Sequence, residues 1–170
     1  MNLYVFRGKS ATGKTTLTNL LSQKLNIPVL RKDDIFDTLS KYEDNIGTLN
    51  SASYDILARL IQTCIDNQSD IIVDVALQHT LSLRMFLEKI NFKEAVVYRF
   101  FCDCSDDEIW LDRWRERLKN PLPNQYFKSI DEVVEHYGKC EIMPLDNEVI
   151  LDSILAVDEL LDKIIKKVEE

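Results

Sequence analysis

Glycine is scarce in this chain, with four in 170 residues. No G-x-G-x-x-G run exists, so the fingerprint of a dinucleotide-binding fold is missing. Histidine is scarcer still, with only His79 and His136. Cys64, Cys102, Cys104 and Cys140 form no C-x-x-C pair and no Cys/His metal spacing, so they read as reduced thiols. No apolar run approaches the ~20 residues a membrane span needs, and no signal-peptide pattern precedes the first apolar run. A cytoplasmic location is expected. Acidic residues are absent from the first 32 positions, which hold Arg7, Lys9, Lys14, Lys24, Arg31 and Lys32; all 29 Asp and Glu follow. The net charge is −8. An acidic protein with a locally positive start suits a small polyanion better than a nucleic-acid polymer. The guanine-reading N-K-x-D of a GTPase is missing, and the only D-x-x-G, Asp44 to Gly47, lies in a polar stretch.

Two of the four glycines, Gly8 and Gly13, stand inside one short polar loop, GKSATGKTT, between the apolar run LYVF and a leucine-rich helical pattern. Gly8-Lys9-Ser10-Ala11-Thr12-Gly13-Lys14-Thr15 fits G-x-x-x-x-G-K-[ST], the phosphate-binding loop. Backbone N–H groups must turn inward around a phosphate chain, and glycine permits the turns. The helix that follows offers its N-terminus to an anion. Lys14 is expected to reach the terminal phosphates, and the Thr15 hydroxyl to ligate Mg²⁺; Thr16 belongs to the same nucleotide-binding stretch. ATP and Mg²⁺ are the expected cofactors. The bland reading is a glycine-containing turn with an incidental lysine.

The rest of the chain alternates short apolar runs with helical patterns. Strands are expected at LYVF (3–6), IPVL (27–30), DIIVDVAL (70–77), EAVVYRFF (94–101) and EVILDS (148–153). Helical stripes fall at Leu17, Leu20, Leu21 and Leu25, at Tyr54, Leu57 and Ile61, at Leu83, Phe86 and Leu87, and from Val157 to Val168. Ser105 to Glu108 reads as a capping box that opens a helix through Leu118, which NPLPNQ (120–125) then breaks. Ile130, Val133, Val134 and Tyr137 suggest a short helix. The polar stretch 43–53 is the one candidate for a mobile insertion. The pattern predicts a single domain of the α/β class: a five-stranded parallel sheet covered by helices on both faces, in three layers.

In such a sheet, ligands sit beyond the carboxyl ends of the strands. The second strand delivers Asp33 and Asp34 there, and the third delivers Asp74, Gln78 and His79. Asp74 ends an apolar run and can hold a Mg²⁺-bound water opposite Thr15, or be a solvated strand end. Asp33 can accept the proton of an attacking hydroxyl, or cap a helix. Arg113 and Arg117, four apart, share a helix face. They can stabilise transferring phosphoryl oxygens or pair with nearby acids such as Asp106 or Glu116. The prolines after them suit a hinged flap that excludes water. His79 can meet the acceptor or cap a helix; His136 and the two tryptophans read as structural.

With these motifs in hand, GKSATGKTT, RKDDIFDTL, IIVDVAL, DRWRER and VILDS, the chain resembles the small P-loop kinases of the AAA_33-type group. That group includes antibiotic phosphotransferases, gluconate- and shikimate-kinase-like enzymes, zeta-toxin-like kinases and the kinase domains of polynucleotide 5′-kinases. The resemblance covers nearly the whole chain. It implies a P-loop NTPase fold, an arginine-bearing lid over ATP·Mg²⁺ at about 113–128, and transfer of the γ-phosphoryl to a small-molecule hydroxyl. It places the base at Asp33, the lid arginines at Arg113 and Arg117, and the loop after VILDS near the adenine. Polynucleotide 5′-kinases typically carry an arginine three residues after that first aspartate. Phe36 stands there in this chain, which lowers the nucleic-acid reading. Phe36, Ile35 or Leu39 can line an apolar acceptor pocket or belong to the core. A toxin-like kinase acting on a nucleotide sugar and a regulatory nucleotide-binding switch compete with the small-molecule kinase. Residues 33–60 and 76–86 are the expected acceptor-pocket segments, in a monomer or homodimer.

Overall fold

The computed structural model describes residues 1–169. Five strands, β1 (Asn2–Gly8), β2 (Val29–Arg31), β3 (Ile71–Asp74), β4 (Val96–Asp103) and β5 (Glu148–Asp152), form one parallel sheet in the order β2-β3-β1-β4-β5. β1 occupies the centre, and its side chains divide with period two. Leu3 and Val5 pack with Ile71, Val73 and the helices α3 (Ile46–Asp66) and α4 (Thr80–Leu87). Tyr4 and Phe6 pack on the opposite face with Ile72, Phe100, Leu151 and the helices α1 (Lys14–Leu25) and α7 (Val157–Glu169). Leu3, Phe6, Leu21, Leu57, Ile65 and Ile164 are fully buried, and each such side chain contributes about 1.5–3 kcal/mol.

A third apolar cluster stands apart from the sheet. Trp110 and Trp114 of α5 (Asp107–Lys119) and Val133 of α6 (Ile130–Gly138) pack with Ala11 and Cys104, and Phe127 and Tyr137 lean on them. The segment expected to form a lid therefore rests directly on the phosphate loop. The remaining helix, α2 (Lys32–Leu39), follows β2 without a break.

Three local expectations change. The stretch 43–53 is mostly the first two turns of α3, because Asn45 caps that helix by accepting from Thr48 N at 2.9 Å. The cap of α5 is Asp106, not Ser105: Asp106 Oδ1 accepts from Ile109 N at 3.0 Å. The DIIVDVAL run is strand only to Asp74. Ala76, at φ 57, then turns the chain, although Val75 and Leu77 stay buried.

One buried ion pair ties the strand ends together. Arg7, with no exposed surface, donates from Nε to Glu148 Oε1 and from Nη2 to Glu148 Oε2, both at 2.6 Å. Its guanidinium also donates to Gln78 O at 3.1 Å and to Met143 O at 2.6 Å.

Candidate active site

The loop Gly8–Thr15 leaves β1 between the ends of β3 and β4, since Phe6 pairs with Asp74 and Gly8 with Cys102. Its backbone is unusual in three places: Gly8 at φ 136, Ala11 at φ 65 and Gly13 at φ 80. A Cβ on Gly8 would stand 1.9 Å from the Cys102 carbonyl oxygen, so no other residue fits there. Gly13 precedes α1, and no side chain caps that helix, which leaves the N-terminal N–H groups for an anion. Lys14 is nearly buried, and its ammonium donates to Gly8 O at 3.0 Å and Lys9 O at 2.8 Å. Thr12 Oγ1 donates to Lys9 O at 2.7 Å, while Thr15 and Thr16 are exposed.

The third cluster fixes this loop from outside. Trp110 Nε1 donates to Ser10 O at 2.8 Å, and Ser10 N donates to the Tyr137 hydroxyl at 3.1 Å. Arg113 donates to Ala11 O at 3.3 Å, to Ser153 Oγ at 2.6 Å and to Ser153 O at 2.8 Å. The two tryptophans are core residues as expected, but Trp110 also pins the loop. Arg113 does not take an acidic partner. Asp106 is spent on its cap, and Glu116 pairs with Lys119 at 2.6 Å.

Three cavities border α5, and two of them hold the lid-helix arginines and Asp33 between them. The larger, about 440 Å³, lies between Ala11, Gly13, Thr16, Arg113, Arg117 and the Ser153–Val157 loop after β5. The smaller, about 210 Å³, is reached by Ser10, Lys32, Asp33, Tyr54, Gln78 and Trp114. Helical spacing explains the division: Arg113 and Arg117 present to one cavity, and Trp114 to the other. Asp33 lines the smaller cavity, with Lys32 Nζ 3.5 Å from its Oδ1. It caps no helix, because Arg31 holds that position without a side-chain bond. Asp34 points elsewhere, to Arg31 at 3.5 Å, and is largely exposed. Asp74 is buried at the end of β3, where Oδ1 accepts from Ala76 N at 3.0 Å. Burial pushes its carboxyl pKa up, against the downward pull of the Lys14 ammonium.

Both histidines border the smaller cavity. His79 Nε2 lies 3.1 Å from Cys140 Sγ, and His136 Nε2 3.2 Å from Gln78 Nε2. Burial, with His79 nearby, lowers the pKa of His136. Phe36 is core: it lies 1% exposed beneath the Lys32 ammonium, 4.3 Å from its ring centroid. Lys128 is exposed and reaches neither cavity. Sequence reasoning missed the contribution of Tyr126, Phe127, His136 and Tyr137 to the smaller cavity. Only the aromatic density after residue 125 hinted at it.

The described residues contain no cluster of three or more His, Cys, Asp or Glu suited to a metal. One carboxylate, Asp74, and one hydroxyl, Thr15, fit a magnesium ion that takes its other ligands from water and substrate phosphates. A left-handed Gly13 and an α1 without a side-chain cap fit the phosphates themselves.

The family model AAA_33, described as an AAA domain, matches residues 3–137. The chain belongs to the AAA_33 family. No curated protein matches it. Among solved structures, this AAA_33 chain is similar to a Chloroflexus aurantiacus protein provisionally called a kinase, with TM-score 0.76, 16% identity and 97% of each chain covered. It is similar to a gluconokinase from Sinorhizobium meliloti, with TM-score 0.70, 10% identity, and 99% of this chain and 91% of that one covered. It is also similar to the Mycobacterium tuberculosis APS kinase in complex with AMPPNP and APS, with TM-score 0.67, 18% identity, and 99% and 98% covered. The fold is that of the P-loop kinases.

Proposed function

We propose that this AAA_33 chain is an ATP- and Mg²⁺-dependent kinase that moves a γ-phosphoryl group to a hydroxyl of a small molecule. The observation that carries the reading is the pair of cavities meeting at one phosphate loop, with Arg113 and Arg117 on one side and Asp33 on the other. The larger is of ligand-binding size, about 300–1,000 Å³. The adenine would lie by the Ser153–Val157 loop. The net charge of −8 and Phe36, where polynucleotide 5′-kinases carry an arginine, make a 5′-hydroxyl polynucleotide kinase the weaker reading.

The residues divide the work. Loop N–H groups from Ala11 to Thr16 grip the phosphates. Lys14 turns from the Gly8 and Lys9 carbonyls to the β/γ oxygens. Thr15 and Asp74 hold magnesium, directly or through water; the ion, when bound, neutralises phosphate charge. Asp33 accepts the acceptor's hydroxyl proton while that oxygen bonds to the γ-phosphorus. The bond from phosphorus to the bridging oxygen of ADP breaks, and the proton passes from Asp33 to solvent. Arg117, and Arg113 behind it, offset the charge on the transferring oxygens. Residues 113–128 act as the lid that excludes water. Placement and electrostatics supply most of the acceleration.

The test uses labelled ATP with a panel of alcohols. Lys14→Met should cut kcat by about 10²–10³-fold. Asp33→Asn should cut transfer as strongly while ATP still binds. Parental transfer rates in Asp33→Asn would remove the base assignment. No calorimetric response to millimolar ATP and magnesium would remove the kinase.

A further inference from the structure

The smaller cavity says what sort of alcohol fits, given the kinase reading above. Its volume, about 210 Å³, suits a small acceptor, and it adjoins a more open space of about 470 Å³ that shares His79, Tyr126, Phe127 and His136 with it. Its wall is aromatic on several sides, with Tyr54, Trp114, Tyr126, Phe127 and Tyr137. Such rings favour the flat face of a ring compound.

Charge narrows the choice further. Among the described residues lining the cavity, Lys32 is the one lysine or arginine, and Asp33 the one carboxylate. The two face each other at 3.5 Å. The Lys32 side chain is 8% exposed, and its ammonium sits against Phe36 at 4.3 Å and Tyr54 at 5.5 Å. The cation is spent: aromatic faces cover it and Asp33 neutralises it. Among the described residues no other lysine or arginine lines the cavity; Arg117, which interacts with Asp33 and Tyr137, lines the larger one. An acceptor carboxylate or phosphate would stand beside Asp33, whose side chain is 39% exposed, and like charges brought that close repel.

We propose that the acceptor is an uncharged alcohol built on a single ring, and that Lys32 serves as the counter-ion that positions Asp33 rather than as an anchor for an acidic acceptor. Lys32 thus acts through Asp33 and touches no reacting atom.

The test is a library of neutral single-ring alcohols, each matched with a counterpart bearing a carboxylate or phosphate. Glucose with glucuronate, and benzyl alcohol with 4-(hydroxymethyl)benzoate, are two such pairs. Transfer is read as kcat and KM. Binding to the Asp33→Asn protein, where Lys32 is released, is read by calorimetry. The parental protein should favour the neutral member by tenfold or more in kcat/KM, and Asp33→Asn should shift the binding preference toward the acidic member. Lys32→Met should lower kcat for the neutral substrate at nearly unchanged KM, and Lys32→Arg should recover most of it. Melting curves confirm that each variant is folded. Preferred transfer to an acidic or multi-ring alcohol overturns the inference while the kinase reading stands. So does a Lys32→Met loss confined to KM, or transfer to no ring-bearing alcohol at all. Failure to bind trinitrophenyl-ATP removes the kinase reading and this inference with it.

Discussion

The two cavities on either side of α5 are built in opposite ways. The larger takes its phosphate-facing wall from one continuous stretch, where Ala11, Gly13 and Thr16 lie within six residues, and Arg113 and Arg117 close it. The smaller draws on the phosphate loop, α2, α3, the segment after β3, α5, residues 124–127 and α6. The first is a backbone device whose geometry one glycine sets. The second is a side-chain surface assembled by the fold. Damage to the first should therefore be abrupt and local, and damage to the second graded.

The sharpest way to break this contrast is Gly8→Ala. A methyl group at 1.9 Å from a backbone carbonyl of β4 has nowhere to go, and φ 136 suits no other residue. We expect a loss of about 4 kcal/mol or more, seen as loss of cooperative melting. In the acceptor wall, Gln78→Ala should cost about 1 kcal/mol. If the two variants melt alike, the contrast fails.

Next in size is Glu148→Gln. It leaves the Arg7 guanidinium buried and half-paired, which costs about 3–5 kcal/mol. Because Arg7 also holds Gln78 O and Met143 O, survivors should show a higher acceptor KM than ATP KM, relative to the parent. Arg7→Met combined with Glu148→Leu should recover much of the stability, measured by urea unfolding. A Glu148→Gln protein as stable as the parent would show that the pair contributes nothing.

The same contrast explains what could be read in advance. The continuous apolar run Leu3–Phe6 and the spacing of Leu17 and Leu21 are local signals, so the sheet and its covering helices were legible. The phosphate loop was legible because backbone turning demands glycine at fixed intervals. Arg7 looked like one more positive charge, because its partner lies 141 residues away. The aromatic wall from Tyr126 to Tyr137 stayed hidden because packing α6 onto the loop depends on tertiary contacts, with no sequence spacing of its own. The α5 cap was misplaced by one residue because Ser105 and Asp106 are both good caps, and backbone geometry chose between them.

A smaller effect separates the cavities kinetically. Arg113 joins Ala11 to Ser153 on the nucleotide side only. Arg113→Ala should raise the ATP KM about tenfold and leave the acceptor KM within about twofold. A larger change in the acceptor KM would mean that α5 does not separate the two sites.

The smallest expected effect is one of stability, and its sign is the informative part. Asp74 is buried, and its pKa is raised above the ordinary aspartate value mainly by that burial, the Lys14 ammonium opposing. An acid whose folded pKa exceeds its unfolded value binds its proton more tightly in the folded chain. Its favourable contribution is complete below the unfolded value and is lost as pH rises through the folded one. Without nucleotide or magnesium, Asp74→Asn removes this loss and keeps an oxygen for Ala76 N. The variant should therefore melt a few degrees higher than the parent at pH 7.5. The gap should close as pH falls toward the unfolded value, and magnesium-dependent transfer should collapse. A lower melting temperature at pH 7.5 would mean that Asp74 stabilises the ligand-free fold. Asp74 would then not be a carboxylate held at the end of β3 at a cost for the sake of the metal.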